Sequence, residues 1–387
     1  MKQLKRDKQR IKIVLITPRL AIGGAERLLI DIAKKLNRER YEVYWCALEP
    51  TNDAASSWEQ EITAAGIPFR VLASDKRSLY KLGRLWRLVK IGFRLWRYLR
   101  EIRPDIMQTQ LFADLYRPIG RLARVPIIIG VEHNLDYDEP HLFQIIKKLC
   151  HASADGVIAV SEAVRQDIIK RYSYTPNKVI VIYNGIDETK FYQPLSVSKM
   201  HDARSPWQIG GAGRLVPQKG FDILIKALAK LPAEIKWRCQ IAGAGPLQDE
   251  LASLIKNLNL EHKVSLIGVH SDLRSFFSRL DIFVIPSCWE GLGLVALEAG
   301  AAGVPVIASA TGGLQEIIQH RYSGFLVDNL QPETLAQALE YIFIGDGAQE
   351  LSIWAKNWQK EVMSRFTITQ TACHYEEYYE RIIHKKS

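Results

Sequence analysis

From Ile11 onward, short apolar runs alternate with stretches whose apolar residues recur at helical spacing, and this happens in two separate series. Parallel strands need a crossover to return the chain to the starting edge, and a helix supplies it, so the alternation predicts βαβ units. In the first series the strand-like runs are Ile11–Thr17, Glu42–Leu48, Phe69–Ala73, Ile106–Thr109, Ile127–Val131, Gly156–Val160 and Val179–Tyr183. Over residues 184–206 the pattern lapses into Asn184-Gly-Ile-Asp187 and then a polar Ser/Lys/Asp run, a linker composition. The second series places strands at Ile209–Gly213, Cys239–Gly243, Val264–Gly268, Ile282–Pro286, Val306–Ser309 and Gly324–Val327. Two α/β domains in tandem are therefore expected, with the ligand at the carboxyl ends of their strands and in the cleft between them. The tail from about residue 349 is helical and rich in aromatic residues (Trp354, Trp358, Tyr375, Tyr378, Tyr379), and is expected to pack on both domains.

A chain of 387 residues is too long for one ordinary core, which agrees with two domains. No apolar run approaches the ~20 residues of a membrane span, and the N-terminal Met-Lys-Gln-Leu-Lys-Arg has no signal-peptide core. The five cysteines are scattered without metal-site spacing, so reduced thiols and a cytoplasmic setting are expected. The net charge of +10 is uneven: residues 76–103 carry ten Lys/Arg against one Glu, and residues 1–10 carry five against one Asp. Such blocks meet either nucleic acid or an anionic membrane. Wound at 100° per residue, Ser78–Ile102 puts Arg87, Lys90, Arg94 and Arg97 in one stripe between two apolar faces. Leu82, Trp86, Val89, Phe93 and Trp96 form one face; Leu88, Ile91, Leu95 and Tyr98 form the other. A helix on a sheet needs one apolar face, so one is left over, to be covered by a neighbouring element or laid on a membrane. Nucleic acid would leave Trp86 and Trp96 without purpose, and several cations at mid-bilayer exclude spanning. An anionic membrane surface satisfies both the cations and the aromatics.

The residues with chemistry in them cluster at the expected strand ends. Cys288-Trp-Glu-Gly-Leu-Gly-Leu-Val-Ala-Leu-Glu298 follows the run Asp281–Pro286. Glu290 sits in its turn, Gly291 and Gly293 admit close backbone approach, and the helix that follows turns its unpaired N–H groups and dipole toward the same point. Glu298 lies about two helical turns further on. Phosphates suit the helix end and hydroxyls suit the carboxylates, which is the chemistry of a nucleotide-sugar; a plain capped helix would read the same way in isolation. Gly213-Arg214…Lys219-Gly220 puts two cations at the opening turn of the second domain, an Arg that can fork onto phosphate and a Lys that supplies a point charge. Thr311-Gly-Gly313 adds another helix start. The first βα turn, with Gly23-Gly24, lacks G-x-G-x-x-G, which removes the main support for a nicotinamide or flavin enzyme. His133 follows the continuous strand Ile127–Val131 and so stands at the carboxyl edge of the first sheet, while alternation points Glu132 the other way.

Taken together, Glu290-x7-Glu298 with Pro286-Ser, Gly213-Arg214…Lys219-Gly220, Tyr183-Asn-Gly-Ile-Asp187, Val160-Ser-Glu162, Glu132-His133-Asn134 and Gly23-Gly24 resemble the retaining family-4 glycosyltransferases of the GT-B fold, over nearly the whole chain. The resemblance implies two Rossmann-like domains: an acceptor domain over 1–187, a linker over 188–206, a nucleotide-sugar donor domain over 207–365, and a crossover helix over 366–387 that packs back on the first domain. Arg214 and Lys219 would hold the diphosphate, and Glu290 the donor sugar's hydroxyls with the backbone of Gly291, Leu292, Gly293 and Leu294. Glu298 would bind the ribose, and backbone at Leu266–Val269, including Gly268, would seat the base. Gly23 and Gly24 would close over the phosphates, and His133 would sit near the reacting carbon. The donor would be UDP- or GDP-linked, with no cofactor and no metal, since Asp136-Tyr-Asp138 reads as acceptor-side or structural. The acceptor would be a glycan or a lipid-linked glycan in cell-surface polysaccharide assembly, reached from the inner face of the cytoplasmic membrane. A glycosidase would need two carboxylates facing each other across the bond, and Glu290 and Glu298 lie on one segment. Another GT-B enzyme, such as an epimerase or phosphorylase, and a non-catalytic membrane-surface protein remain the alternatives.

Overall fold

The computed structural model describes residues 10–20, 23–50, 56–73, 81–135, 141–195, 205–270, 272–345 and 347–386. All thirteen expected strands are present: β1 (Ile11–Thr17), β2 (Tyr41–Ala47), β3 (Phe69–Val71), β4 (Ile106–Gln110), β5 (Ile127–Glu132), β6 (Gly156–Ala159) and β7 (Val179–Val181), then β8 (Trp207–Ala212), β9 (Trp237–Ala242), β10 (Val264–Gly268), β11 (Ile282–Ile285), β12 (Val306–Ser309) and β13 (Phe325–Val327). They form a seven-stranded sheet in the order β3-β2-β1-β4-β5-β6-β7 and a six-stranded sheet in the order β10-β9-β8-β11-β12-β13. Every strand pairing in both sheets is parallel. Helices cover both faces, so the central strands read as unbroken apolar runs: all six residues of β5 and all four of β11 and β12 are buried.

The chain divides into two compact units, residues 1–183 with 368–387, and residues 184–367. In each sheet the strand order reverses once, between β1 and β4 and between β8 and β11. At such a reversal the helices on either side diverge and leave a crevice at the carboxyl ends of the strands. The stretch read as a linker carries a short helix, Glu188–Phe191, and residues 196–204 lie outside the described ones.

The aromatic tail is two helices, one in each unit. On Gly347–Arg365, Trp354 and Trp358 are buried in the second unit. Trp358 Nε1 donates to the Ala296 carbonyl at 3.0 Å, and a Cβ at Gly300 would come within 2.4 Å of that nitrogen, so glycine lets the indole lie flat on the helix Leu294–Ala301. On Ile368–Lys386, Tyr375, Tyr378 and Tyr379 are buried in the first unit, against the helix Gly24–Lys35 and the sheet. Tyr379 Oη donates to Gln108 Oε1 at 2.6 Å, a hydrogen bond inside the core that fixes where this helix docks.

The basic helix runs from Lys81 to Ile102. Ile91, Leu95, Tyr98 and Leu99 are buried beneath it, while Trp86, Val89 and Phe93 stay more than half exposed and Trp96 is 37% exposed. Leu88, grouped by helical spacing with the buried Ile91, Leu95 and Tyr98, is itself 50% exposed. The cationic stripe is only partly unengaged: half-buried Arg87 pairs with Glu49 at 3.4 Å and exposed Arg94 donates to the Leu72 carbonyl at 2.7 Å, whereas Lys90 and Arg97 are exposed and, among the described residues, have no hydrogen bond or ion pair. Among the described residues no helix is long and apolar enough to cross a membrane.

Candidate functional site

In the second unit the geometry is set by a glycine. The loop after β8 ends in a single 3-10 turn, Pro217–Lys219, and Gly220 follows at φ +60°. A Cβ there would lie 1.9 Å from the Pro286 carbonyl oxygen, so only glycine allows this loop to rest on the end of β11. The close approach brings Lys219 against the next loop. Its Nζ donates to Glu290 Oε2 at 2.6 Å, and Ser287 Oγ donates to the same oxygen at 3.1 Å. Backbone stitches the loops together: Cys288 N donates to the Gln218 carbonyl at 2.8 Å, and Gln218 Nε2 to the Trp289 carbonyl at 3.0 Å. A third loop joins from β12, with Gly313 N donating to the Glu290 carbonyl at 3.1 Å and Thr311 Oγ1 to the Cys288 carbonyl at 3.2 Å. A Cβ at Gly313 would sit 2.3 Å from the Gly291 carbonyl oxygen, which accounts for the second glycine of Thr311-Gly-Gly313.

Three of the predicted anion-handling pieces thus meet: Lys219, Glu290 and the start of the helix Leu294–Ala301. Gly293 caps that helix at φ +93° with no side-chain hydrogen bond to the cap, so the helix end is open to a ligand's acceptors. Arg214 projects from the first of these loops as an exposed side chain, and among the described residues no hydrogen bond or ion pair holds its guanidinium. Glu298 is half-buried on the helix that begins at Leu294. Gly268, at φ +70° where β10 ends, has open space where a Cβ would be, and Val269 beside it is 69% exposed. Among the described residues no hydrogen bond or ion pair joins Arg214 or Gly268 to the Lys219–Glu290 pair.

In the first unit Gly23 is extended (φ −166°) and caps the helix Gly24–Lys35, so its left-handed freedom is not used. His133 stands just past β5, half-buried, and its Nε2 donates to Gln110 Oε1 at 3.2 Å across the ends of β5 and β4. Burial pushes its imidazole down to about 4, against a smaller opposing pull from the Asp114 charge, so the ring is neutral at neutral pH. Asp136 and Asp138 lie outside the described residues, and among those described no group of His, Cys, Asp and Glu is arranged to hold a metal ion.

Glu132 points to the opposite face, as alternation requires, into a buried cluster that sequence reasoning missed. Its centre is Arg117, fully buried. Arg117 Nε donates to Thr109 Oγ1 at 2.9 Å, Nη1 to Tyr174 Oη at 2.7 Å with His151 Nδ1 at 3.2 Å, and Nη2 to Asp114 and, at 3.4 Å, to Glu132 Oε1. Burial raises the Glu132 carboxyl well above the usual range, and the Asp114 charge raises it further. One signal was present in the sequence: Gly130 interrupts a strand of Ile and Val, and glycine inside a strand marks a close approach. A Cβ there would lie 2.0 Å from Arg117 Nη2.

The profile described as Glycosyltransferase Family 4 matches residues 22–190, and that described as Glycosyl transferases group 1 matches residues 201–360. An uncharacterized glycosyltransferase of Methanocaldococcus jannaschii is 36% identical over 265 residues, covering 64% of this chain and 67% of the relative. The chain is a family-4 glycosyltransferase. Other relatives of this glycosyltransferase include the Escherichia coli UDP-Gal:alpha-D-GlcNAc-diphosphoundecaprenol alpha-1,3-galactosyltransferase, 23% identical with 95% of this chain and 96% of the relative covered. Among solved structures, Anabaena HepE in complex with UDP and glucose superposes with a TM-score of 0.79 at 26% identity, over 96% of this chain and all of that one. The GT-B fold expected of the glycosyltransferase is the fold observed, two parallel-sheet Rossmann-like units with the last helix packed on the first.

Proposed function

We propose that this glycosyltransferase moves a sugar, with retention of anomeric configuration and without a metal ion or cofactor, from a UDP- or GDP-linked donor to a lipid-linked glycan at an anionic membrane surface. The observation that carries the reading is the Lys219–Glu290 contact at 2.6 Å beside an uncapped helix N-terminus. A diphosphate entering there takes the ammonium from the carboxylate, and the released Glu290 accepts from sugar hydroxyls. Arg214 adds a second cation to the diphosphate, Glu298 takes the ribose, and backbone at Gly268 faces the base. As the donor's C1–O bond breaks, the acceptor oxygen bonds to C1 from the same face and its proton passes to the leaving diphosphate oxygen. Such a step needs positioning and charge neutralisation more than a dedicated base. His133 adds a neutral imidazole that hydrogen-bonds a sugar hydroxyl. HepE, solved with UDP and glucose, and the diphosphoundecaprenol-dependent relative support the choice of donor and acceptor classes.

A panel of UDP- and GDP-sugars screened by thermal shift tests the donor. A bound donor at about 100 times its Kd adds about 2.7 kcal/mol, and Lys219→Ala removes the shift. With the donor in hand and a polyprenyl-diphosphate glycan as acceptor, product NMR shows an α-linkage from an α-linked donor, and EDTA leaves the rate within about twofold. An inverted product, or strict dependence on Mg²⁺, overturns the mechanism.

A further inference from the structure

The buried cluster around Arg117 lies directly behind the Gln110–His133 hydrogen bond. Thr109 on β4 is the parallel partner of Gly130 on β5, so their side chains share a face of the sheet, and Glu132 shares it too. Gln110 and His133, each one residue further along, lie on the other face. Arg117 fills the slot that Gly130 leaves open and reaches both strands, Thr109 with Nε and Glu132 with Nη2. All three of its nitrogens are engaged, so the guanidinium cannot turn. We propose that Arg117 is a positioning residue for His133, clamping the ends of β4 and β5 so that Gln110 and His133 meet at the carboxyl edge; this rests on the role given to His133 above.

Stability alone does not explain such a group. A buried ion pair is often replaced by apolar side chains at no cost in stability, so the fixed geometry such a group imposes is the role assigned to it here. The cluster is built to hold that geometry without excess charge. Asp114 Oδ2 is buried and has no hydrogen-bond donor on it, and burial, with the Asp114 charge, raises the Glu132 carboxyl and so favours its protonated form beside Asp114. Arg117 then faces one carboxylate. Lys147 from the next helix faces the same carboxyls, and burial with both cations keeps His151 neutral. Tyr174 Oη accepts from Arg117 and remains un-ionised, its own burial raising it.

The test reads His133 without substrate. Full-length protein labelled with ¹⁵N-histidine is titrated by NMR, with the His133 signal assigned from His133→Gln. In Arg117→Lys, and independently in Thr109→Val, the His133 imidazole titrates higher than in the native protein by at least about one pH unit, toward the ordinary 6.5, because the fixed, partly buried seat it shares with Gln110 is lost. Thr109→Ser, which keeps the hydroxyl, retains the native titration. If Arg117→Lys does not fold, the Thr109 pair decides. A folded Thr109→Val or Arg117→Lys with an unchanged His133 titration overturns the proposal. Undiminished transfer by His133→Ala would instead overturn the role of His133 and leave the positioning result standing.

Discussion

Single residues in this enzyme are held by what glycine permits and what a neighbouring charge allows. Lys219 meets Glu290 only because Gly220 bears no side chain, and the two groups then pair at 2.6 Å. On the role proposed for Lys219 at the diphosphate, Lys219→Ala removes a charge-assisted contact to the leaving group, and kcat/KM falls by at least about 10²-fold with the circular dichroism spectrum unchanged. Wild-type turnover would exclude Lys219 from the diphosphate site. Gly130→Ala drives a methyl into Arg117 Nη2; overpacking of this kind costs about 1–3 kcal/mol, read as a lower urea midpoint with unchanged m. Glu132 gives a pH dependence of definite sign. Its folded pKa lies above the unfolded value near 4.5, so from that value up to the raised one the folded chain keeps a proton that the unfolded chain has lost. Stability falls as pH rises through that window. Urea midpoints measured from about pH 5 to pH 8 decline less steeply for Glu132→Gln than for the native protein, and parallel slopes would show that Glu132 is ionised in the fold.

At the level of elements, the strands were legible because burial on both faces leaves a run of apolar residues with nothing to interrupt it. Helix ends were less so: apolar residues at helical spacing run over Leu273–Leu280 and Phe221–Leu231, whereas the helices are Leu273–Phe277 and Phe221–Leu228, since apolar spacing continues past the last helical turn. The Lys219–Glu290 pair could be anticipated as two motifs at neighbouring strand ends. The Arg117 cluster could not, because its members are spread over residues 109–174 and only the pairing of β4 with β5 collects them. The helix Lys81–Ile102 shows both outcomes. Its surplus apolar face is there, with Phe93 stacked on Trp96 at 5.8 Å, yet two of its four stripe cations are already engaged by Glu49 and the Leu72 carbonyl. Flotation with liposomes follows from this inequality. Binding requires anionic lipid and weakens with salt; Lys90→Gln with Arg97→Gln reduces it more than Arg87→Gln with Arg94→Gln, each available cation contributing about 1 kcal/mol. Equal loss from the two pairs, or binding to neutral vesicles alone, would assign the face to another role.

Across the whole molecule, the two sheets repeat one plan: a central first strand, a reversal beside it, and loops carrying chemistry where the order turns back. That plan was readable from the alternation of patterns, whereas the ownership of the aromatic tail was not, because Trp and Tyr at helical spacing say that a helix is buried and not against what. The structure gives Trp354 and Trp358 to the second unit and Tyr375, Tyr378 and Tyr379 to the first. Ending the chain after Thr367 removes the helix that supplies the Tyr379–Gln108 hydrogen bond, and exposes the surface that Tyr378 covers at Gly156. Proteolysis of that truncated protein cuts first within residues 10–183, while the second unit persists as a resistant fragment; simultaneous loss of both would contradict two separate cores. The same chain path sets an order of events during synthesis. Residues 184–367 lie between the two stretches that make up the first unit, so during synthesis the second unit is complete in sequence before the first has its Ile368–Lys386 helix. The half that starts first is the half that finishes last, and until that helix docks its unfinished sheet is the surface a chaperone would meet.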